Sequence, residues 1–135
     1  MSKTVLVVDD DPEFLSDLSS LLNAEGYSTI AAKDGREAKY ALDSHRVLFD
    51  AAIIDLALPE IGGFQIIGEL ARTQRRPIPL MAITGAYSDI YLEVARYLGV
   101  QVSIRKPPPG ESLTPLVDAL KQLLDPESNY TPHLT

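Results

Sequence analysis

The feature of this sequence that most constrains its fold is a set of five short apolar runs that recur at regular intervals. They cover residues 4–8, 28–31, 51–54, 80–83 and 100–104. The first, third and fourth runs do not alternate with polar residues, which is typical of parallel strands covered by helices on both faces. The runs therefore predict five strands of one parallel sheet.

Segments of helix length separate the runs, and each carries apolar residues three or four positions apart. These positions are Phe14, Leu18, Leu21 and Leu22; Ala38, Ala41 and Leu42; Phe64, Ile67 and Leu70; Ile90, Val94 and Leu98; and Leu113, Leu116, Val117, Leu120 and Leu124. Such spacing predicts amphipathic helices. Pro12 follows acidic residues that can cap the first helix, and Gly26 and Gly99 stand where C-terminal caps are expected. The pattern predicts an α/β fold, a doubly wound five-stranded parallel sheet.

Length and composition limit the number of domains and the class of site. The 135 residues make one ordinary domain, which we place at residues 1–124, and residues 125–135 read as a C-terminal tail or the start of a linker. The sequence has no cysteine, which excludes thiolate catalysis and cysteine-based zinc sites. No apolar run approaches the ~20 residues of a membrane span, so we expect a cytoplasmic protein without a membrane partner.

The charge distribution argues against direct binding to nucleic acid. The formal net charge is −7, whereas a duplex-binding surface needs clustered lysine and arginine. The only basic cluster, Arg72, Arg75 and Arg76, lies near the end of a predicted helix, where cations suit the helix dipole. We therefore expect no nucleic-acid partner.

Four of the five apolar runs end abruptly in specific polar residues. These are Asp9 and Asp10 after the first run, Asp55 after the third, Thr84 after the fourth, and Arg105 and Lys106 after the fifth. Because the carboxyl ends of parallel strands meet at one edge of a sheet, these side chains are expected to share one pocket. The sequence thus predicts a site with several carboxylates, a hydroxyl and a lysine.

Such a pocket favours phosphoryl chemistry. Neighbouring carboxylates repel one another, and a hard cation such as Mg²⁺ relieves that repulsion. An aspartate carboxylate can attack phosphorus, and a lysine can pair with a phosphoryl oxygen. Each residue also has a structural interpretation, for example Asp10 or Asp11 as a helix cap, or Asp55 as a loop residue. Their joint placement after four separate strands favours the site.

Over roughly residues 3–124 these motifs resemble the response-regulator receiver domains of two-component signalling. The resemblance rests on Asp9-Asp10-Asp11-Pro12 after the first strand, Asp55 with Pro59 and Gly63, the step Thr84-Gly85, and the closing stretch from Gly99 to Lys106-Pro107. It implies a (βα)5 flavodoxin-like receiver fold. It also implies that the protein is a phospho-acceptor that assists its own phosphorylation and dephosphorylation, rather than an enzyme in the usual sense.

The resemblance also implies a role for each motif residue. Asp55 would accept a phosphoryl group from a histidine kinase or a phosphotransfer protein, and Lys106 would pair with Asp55 and then with that group. The Mg²⁺ ligands would be Asp10, Asp9 through water, Asp55 and the backbone carbonyl of Ala57.

Conformational switching would begin at the Thr84-Gly85 step. The Thr84 hydroxyl would move toward the phosphoryl group, and this motion would control binding of a downstream protein, a fused output domain or a second copy in a homodimer. Ser103 departs from the family pattern, which usually has Tyr or Phe three residues before the lysine. Tyr87, Tyr91 or Tyr97 could supply a moving aromatic ring instead, although ordinary packing also accounts for them.

Three alternatives stay open. A phosphate-independent receiver would act only as a protein-interaction module. An aspartate-dependent phosphohydrolase would need a second acid where Ala57 stands. A flavodoxin-like cofactor binder would need a phosphate-cradling loop where three aspartates follow the first strand.

Overall fold

A computed structural model describes residues 3–44, 48–58, 62–73, 78–85 and 89–125. Strands and helices alternate along the chain as β1 (Thr4–Val8), α1 (Pro12–Ala24), β2 (Ser28–Ala32), α2 (Gly35–Asp43), β3 (Ala51–Asp55), α3 (Gly63–Thr73), β4 (Leu80–Thr84), α4 (Asp89–Tyr97), β5 (Val102–Arg105) and α5 (Thr114–Leu124). Every predicted strand is confirmed, with its ends within two residues of the predicted ones.

The strands form a single parallel sheet in the order β2-β1-β3-β4-β5, which confirms the doubly wound α/β fold. From β1 the chain passes first to β2 on one side, and β3 then lies on the other side of β1. The register pairs Val8 with Ile54 and Thr84 with Arg105. The loops after β1 and β3 therefore meet where the winding reverses, which is where ligands bind in open α/β sheets.

Two apolar clusters cover the two faces of the sheet. Side chains of α2, α3 and α4 pack with Leu6, Val8 and Ile54 on one face. Side chains of α1 and α5 pack with the alternate strand residues, including Val7 and Ile53, on the other face. This burial on both faces explains why the central strand sequences are apolar without alternation.

The predicted helix ends are confirmed where α1 begins and where α1 and α4 end. Asp11 is the N-cap of α1 and accepts hydrogen bonds from the backbone N–H groups of Glu13 and Phe14, at 3.0 and 3.3 Å. Pro12 follows in the first helical turn. Gly26 and Gly99 have φ angles of +93° and +96°, the left-handed conformation that suits glycine after a helix.

Helix α4 differs from the prediction in the face that it buries. The predicted apolar positions Ile90, Val94 and Leu98 are 62%, 42% and 49% exposed, whereas Ala95 is completely buried. The sheet face beneath α4 carries the small residues Ala82 and Ser103, so a small helix residue packs there closely. Leu116 and Leu120 of α5 are completely buried and belong to the core, as their helical spacing predicts.

Several sequence predictions fall outside the described residues. They concern Pro59, Arg75, Arg76, Tyr87, the side chain of Tyr91 and the tail beyond residue 125. Within the described ranges, no helix combines the length and apolarity that a membrane crossing requires.

Candidate functional site

Three carboxylates meet at the carboxyl edge of the sheet. Asp9 and Asp10 follow β1, and Asp55 is the last residue of β3. One oxygen from each lies within 4.8 Å of the other two. Asp9 is fully buried and Asp55 is 5% exposed, whereas Asp10 is exposed, so the cluster opens to solvent on one side.

The side chain of Asp55 is positioned by a hydrogen bond within its own turn, whereas burial and neighbouring charges destabilise its ionised form. Its Oδ1 accepts a hydrogen bond of 2.9 Å from the backbone N–H of Ala57. Burial, followed by the charges of Asp9 and Asp10, raises the pKa of Asp55 to about 6, while the Ala57 N–H and Lys106 act in the opposite direction. At neutral pH the carboxylate is thus mostly ionised, but at a cost to the folded state.

Asp9 has one satisfied oxygen and one unsatisfied oxygen. Its Oδ1 accepts hydrogen bonds from the Asp11 backbone N–H at 2.8 Å and from Lys106 Nζ at 2.9 Å. Its Oδ2 is buried and has no hydrogen-bond partner in the described part of the chain. Burial raises the pKa of Asp9, against the effect of those two donors. A buried free oxygen beside two other carboxylates suits a hard cation such as Mg²⁺.

Lys106 lies beside the carboxylate cluster but pairs with Asp9. Its Nζ is 2.9 Å from Asp9 Oδ1, 3.8 Å from Asp11 Oδ2 and 4.3 Å from the centroid of the Phe14 ring. Among the described residues it forms no ion pair with Asp55, the partner that the family resemblance suggests. Asp9 is the more deeply buried carboxylate, and Asp11 and Phe14 also hold the ammonium on the α1 side.

Thr84, Gly85 and Ala57 lie at the same edge. Thr84 ends β4 with its side chain buried, and its carbonyl accepts a hydrogen bond of 2.9 Å from the Lys106 backbone N–H. Gly85 and Lys106 both line a cavity of about 420 Å³ between the start of α1 and the turn at residues 107–110. Ala57 is exposed in the turn after Asp55. The structure therefore brings every predicted site residue to one edge.

Two further residues, Gly63 and Phe14, make contacts at the site that the sequence motifs did not predict. A Cβ atom on Gly63 would lie 2.3 Å from the carbonyl oxygen of Asp55 and 2.7 Å from Leu56 Cα, so the start of α3 touches the backbone that carries Asp55. Phe14 was predicted only as a core residue of α1. Its contact with Lys106 could not be predicted, because it depends on side-chain packing that the order of strands and helices does not specify.

Ser103 is buried in β5, and its hydroxyl has no hydrogen-bond partner within the described residues. Its register partner is Ala82, which faces the cluster that contains Ala95 of α4. The position that carries an aromatic ring in most of the resembling family is therefore packed here with small side chains.

The profile of the response regulator receiver domain family matches residues 5–118. The chain belongs to this family. Among curated relatives, the receiver domain is 37% identical over 107 residues to the response regulator GtcR of Aneurinibacillus migulanus, covering 79% of this chain and 43% of that protein. It is 33% identical over 120 residues to the transcriptional regulatory protein GlrR of Escherichia coli, covering 87% of this chain and 26% of that protein. The chain thus spans less than half the length of these relatives.

Solved structures agree with this receiver fold. A CheY-like receiver domain protein from Methanospirillum hungatei has a TM-score of 0.81 at 24% identity, covering 93% of this chain and 96% of that one. The response regulator TrrA from Thermotoga maritima, in complex with Mg²⁺-BeF, has a TM-score of 0.74 at 27% identity, covering 90% and 99% of the two chains. The predicted fold is confirmed, and so is the predicted membership in the receiver domain family of two-component signalling.

Proposed function

We propose that this receiver domain accepts a phosphoryl group on Asp55 in a Mg²⁺-dependent reaction and changes conformation as a result. The donor would be the phosphohistidine of a histidine kinase or of a phosphotransfer protein. The observation that carries the proposal is the meeting of Asp9, Asp10 and Asp55 within 4.8 Å, with the Lys106 ammonium 2.9 Å from Asp9. Three carboxylates gathered at a sheet edge repel one another, which supports a role for a cation at this site.

In the proposed reaction an Asp55 oxygen forms a bond to phosphorus as the bond from phosphorus to the donor imidazole nitrogen breaks. The leaving imidazole then takes a proton from solvent. The Ala57 N–H occupies Oδ1, which leaves Oδ2 for the attack. Lys106 is close enough to offset charge on the transferred group, where this chemistry depends mainly on electrostatic stabilisation.

Asp9, Asp10, Asp55 and the carbonyl of Ala57 would hold Mg²⁺, which would supply charge stabilisation at the phosphoryl oxygens. The unpartnered Asp9 Oδ2 supports this assignment on the chain's own evidence. TrrA, which was crystallised with Mg²⁺-BeF, supports it by similarity. Dephosphorylation assisted by the same residues is part of the proposal.

Phosphorylation would act by shifting the balance between two conformations, through contacts that the phosphoryl group makes in only one of them. Thr84 would make such a contact, with Gly85 leaving room at the site. The output would be a downstream protein, a fused output domain or a homodimer, and the longer transcriptional regulators among the relatives support a fused output. A cytoplasmic location, typical of the family, belongs to the same proposal.

The test is incubation with Mg²⁺ and acetyl phosphate, followed by intact mass spectrometry, a suitable method because the sequence has no tryptophan to report the reaction by fluorescence. We expect a phosphoryl adduct in the wild-type protein and none in Asp55→Asn or in a chelator. If the wild-type protein forms no adduct and calorimetry detects no Mg²⁺ binding, the proposal is wrong and a phosphate-independent interaction module replaces it.

A further inference from the structure

We infer that Phe14 is a positioning residue for Lys106, whose ammonium it holds beside the carboxylate cluster and away from the acceptor carboxylate itself. The contact stands independently of the proposed function. Its role in phosphoryl transfer rests on that function, and the experiment below separates the two.

The contact has the geometry of a cation–π interaction between two mostly buried side chains. Lys106 Nζ lies 4.3 Å from the ring centroid. The Phe14 side chain is 6% exposed and that of Lys106 is 17% exposed. Such interactions strengthen when water is excluded, so the ring makes a real contribution to where the ammonium lies.

Both partners are fixed by local structure. The Asp11 side chain caps α1 and bonds to the N–H of Phe14 itself, so the first helical turn sets the position of the ring. Lys106 is tied to β4 by the hydrogen bond from its N–H to the carbonyl of Thr84. Pro107 follows and restricts the chain that continues from the lysine.

Without the ring, other negative charges compete for the ammonium. The acidic residues Asp11, Glu13, Asp17 and Glu111 also line the cavity that Phe14 and Lys106 share, and Asp55 is near enough for the Lys106 charge to lower its pKa. Movement into the cavity would take the positive charge away from the phosphoryl site. Pairing with Asp55 would occupy the attacking oxygen. The Phe14 ring favours the position between these two arrangements.

The contact can be measured without any phosphorylation. An aromatic ring shields protons that lie over its face, so the Lys106 Cε protons should show an upfield NMR shift in the wild-type protein. Phe14→Tyr should keep the shift and Phe14→Leu should lose it. Phe49→Leu, which shortens another buried phenylalanine, controls for general loosening of the core.

The role in transfer is measured as the rate of phosphorylation by acetyl phosphate. We expect Phe14→Leu to be about three- to tenfold slower, while Phe14→Tyr and Phe49→Leu stay near the wild-type rate. In a Lys106→Met background, Phe14→Leu should cause no further slowing, because the ring acts only through the lysine.

Absence of the upfield shift in the wild-type protein would overturn the contact, whatever the phosphorylation result. A wild-type rate for Phe14→Leu, or equal slowing with and without Lys106, would overturn the positioning role. A wild-type protein that shows the shift but takes no phosphoryl group would contradict the proposed function, and with it the role of Phe14 in transfer, while the contact itself would stand.

Discussion

Replacing Asp55 with asparagine is expected to stabilise the metal-free protein at neutral pH. The side chain is 5% exposed and lies among other carboxylates, so its ionised form opposes folding. Asparagine keeps the shape of the side chain and an oxygen that can accept the Ala57 N–H, but it has no charge. The substitution therefore isolates the electrostatic cost of the acceptor.

The magnitude follows from the pKa of Asp55, which is about 6 in the folded protein against 3.8 for an ordinary aspartate. At about 1.4 kcal/mol per pH unit, this difference corresponds to about 3 kcal/mol. Because the folded state binds the proton more tightly, protonation of Asp55 stabilises the folded protein. This stabilisation is fully present below the ordinary pKa and is lost as the pH rises through about 6, where the wild-type protein carries the cost of the ionised carboxylate. The raised pKa of Asp9 acts in the same direction.

Thermal unfolding followed by circular dichroism in a chelator tests this. At about pH 7 we expect Asp55→Asn to raise Tm by about 5–10 °C, a gain that shrinks toward zero near pH 4. Asp17→Asn, at an exposed residue of α1, is the control and should change Tm little. A gain that does not vary with pH, or a loss of stability at neutral pH, would refute the reasoning.

Three other substitutions test separate parts of the structure. Gly63→Ala should lower the free energy of unfolding by about 1–3 kcal/mol in urea titrations, because its Cβ would clash with the backbone that carries Asp55. Gly62→Ala is the control: its Cβ would meet nothing within 4 Å, so the free energy of unfolding should change by under about 0.5 kcal/mol. Ser103→Ala removes a buried hydroxyl without a partner in the described chain and should raise the same free energy by up to about 1 kcal/mol. Asp10→Asn should weaken Mg²⁺ binding at least about tenfold by calorimetry, and an unchanged affinity would exclude Asp10 as a ligand.

The fold was predictable because its signals are local and repeated. Each strand is a short run without alternation, and each connection contains a helix, so the parallel arrangement follows from simple rules of chain connection. The meeting of Asp9 with Asp55 was predictable for the same reason. Residues that end parallel strands reach the same edge whatever the details of packing.

The orientation of α4 and the partner of Lys106 were not predictable in this way. Because Ile90 and Val94 are more hydrophobic than Ala95, hydropathy predicts that they are buried in its place. The small residues beneath α4 instead favour close packing by the alanine. The choice of Lys106 between Asp9 and Asp55 depends on burial and on distances of a few ångströms. Neither the burial nor these distances can be obtained from the sequence pattern alone.

The segment that caps α1 also contains a buried carboxylate whose ionised form opposes folding. Asp11 stabilises the helix, whereas Asp9 buries a carboxylate oxygen that has no partner in the described chain. A sequence selected for stability alone would replace Asp9 or Asp55, since both have raised pKa values in the folded protein. A cation bound by the folded state alone stabilises it by mass action. Under the proposed function, Mg²⁺ would relieve the electrostatic cost of gathering these carboxylates, so binding of the metal would raise the stability of the folded protein.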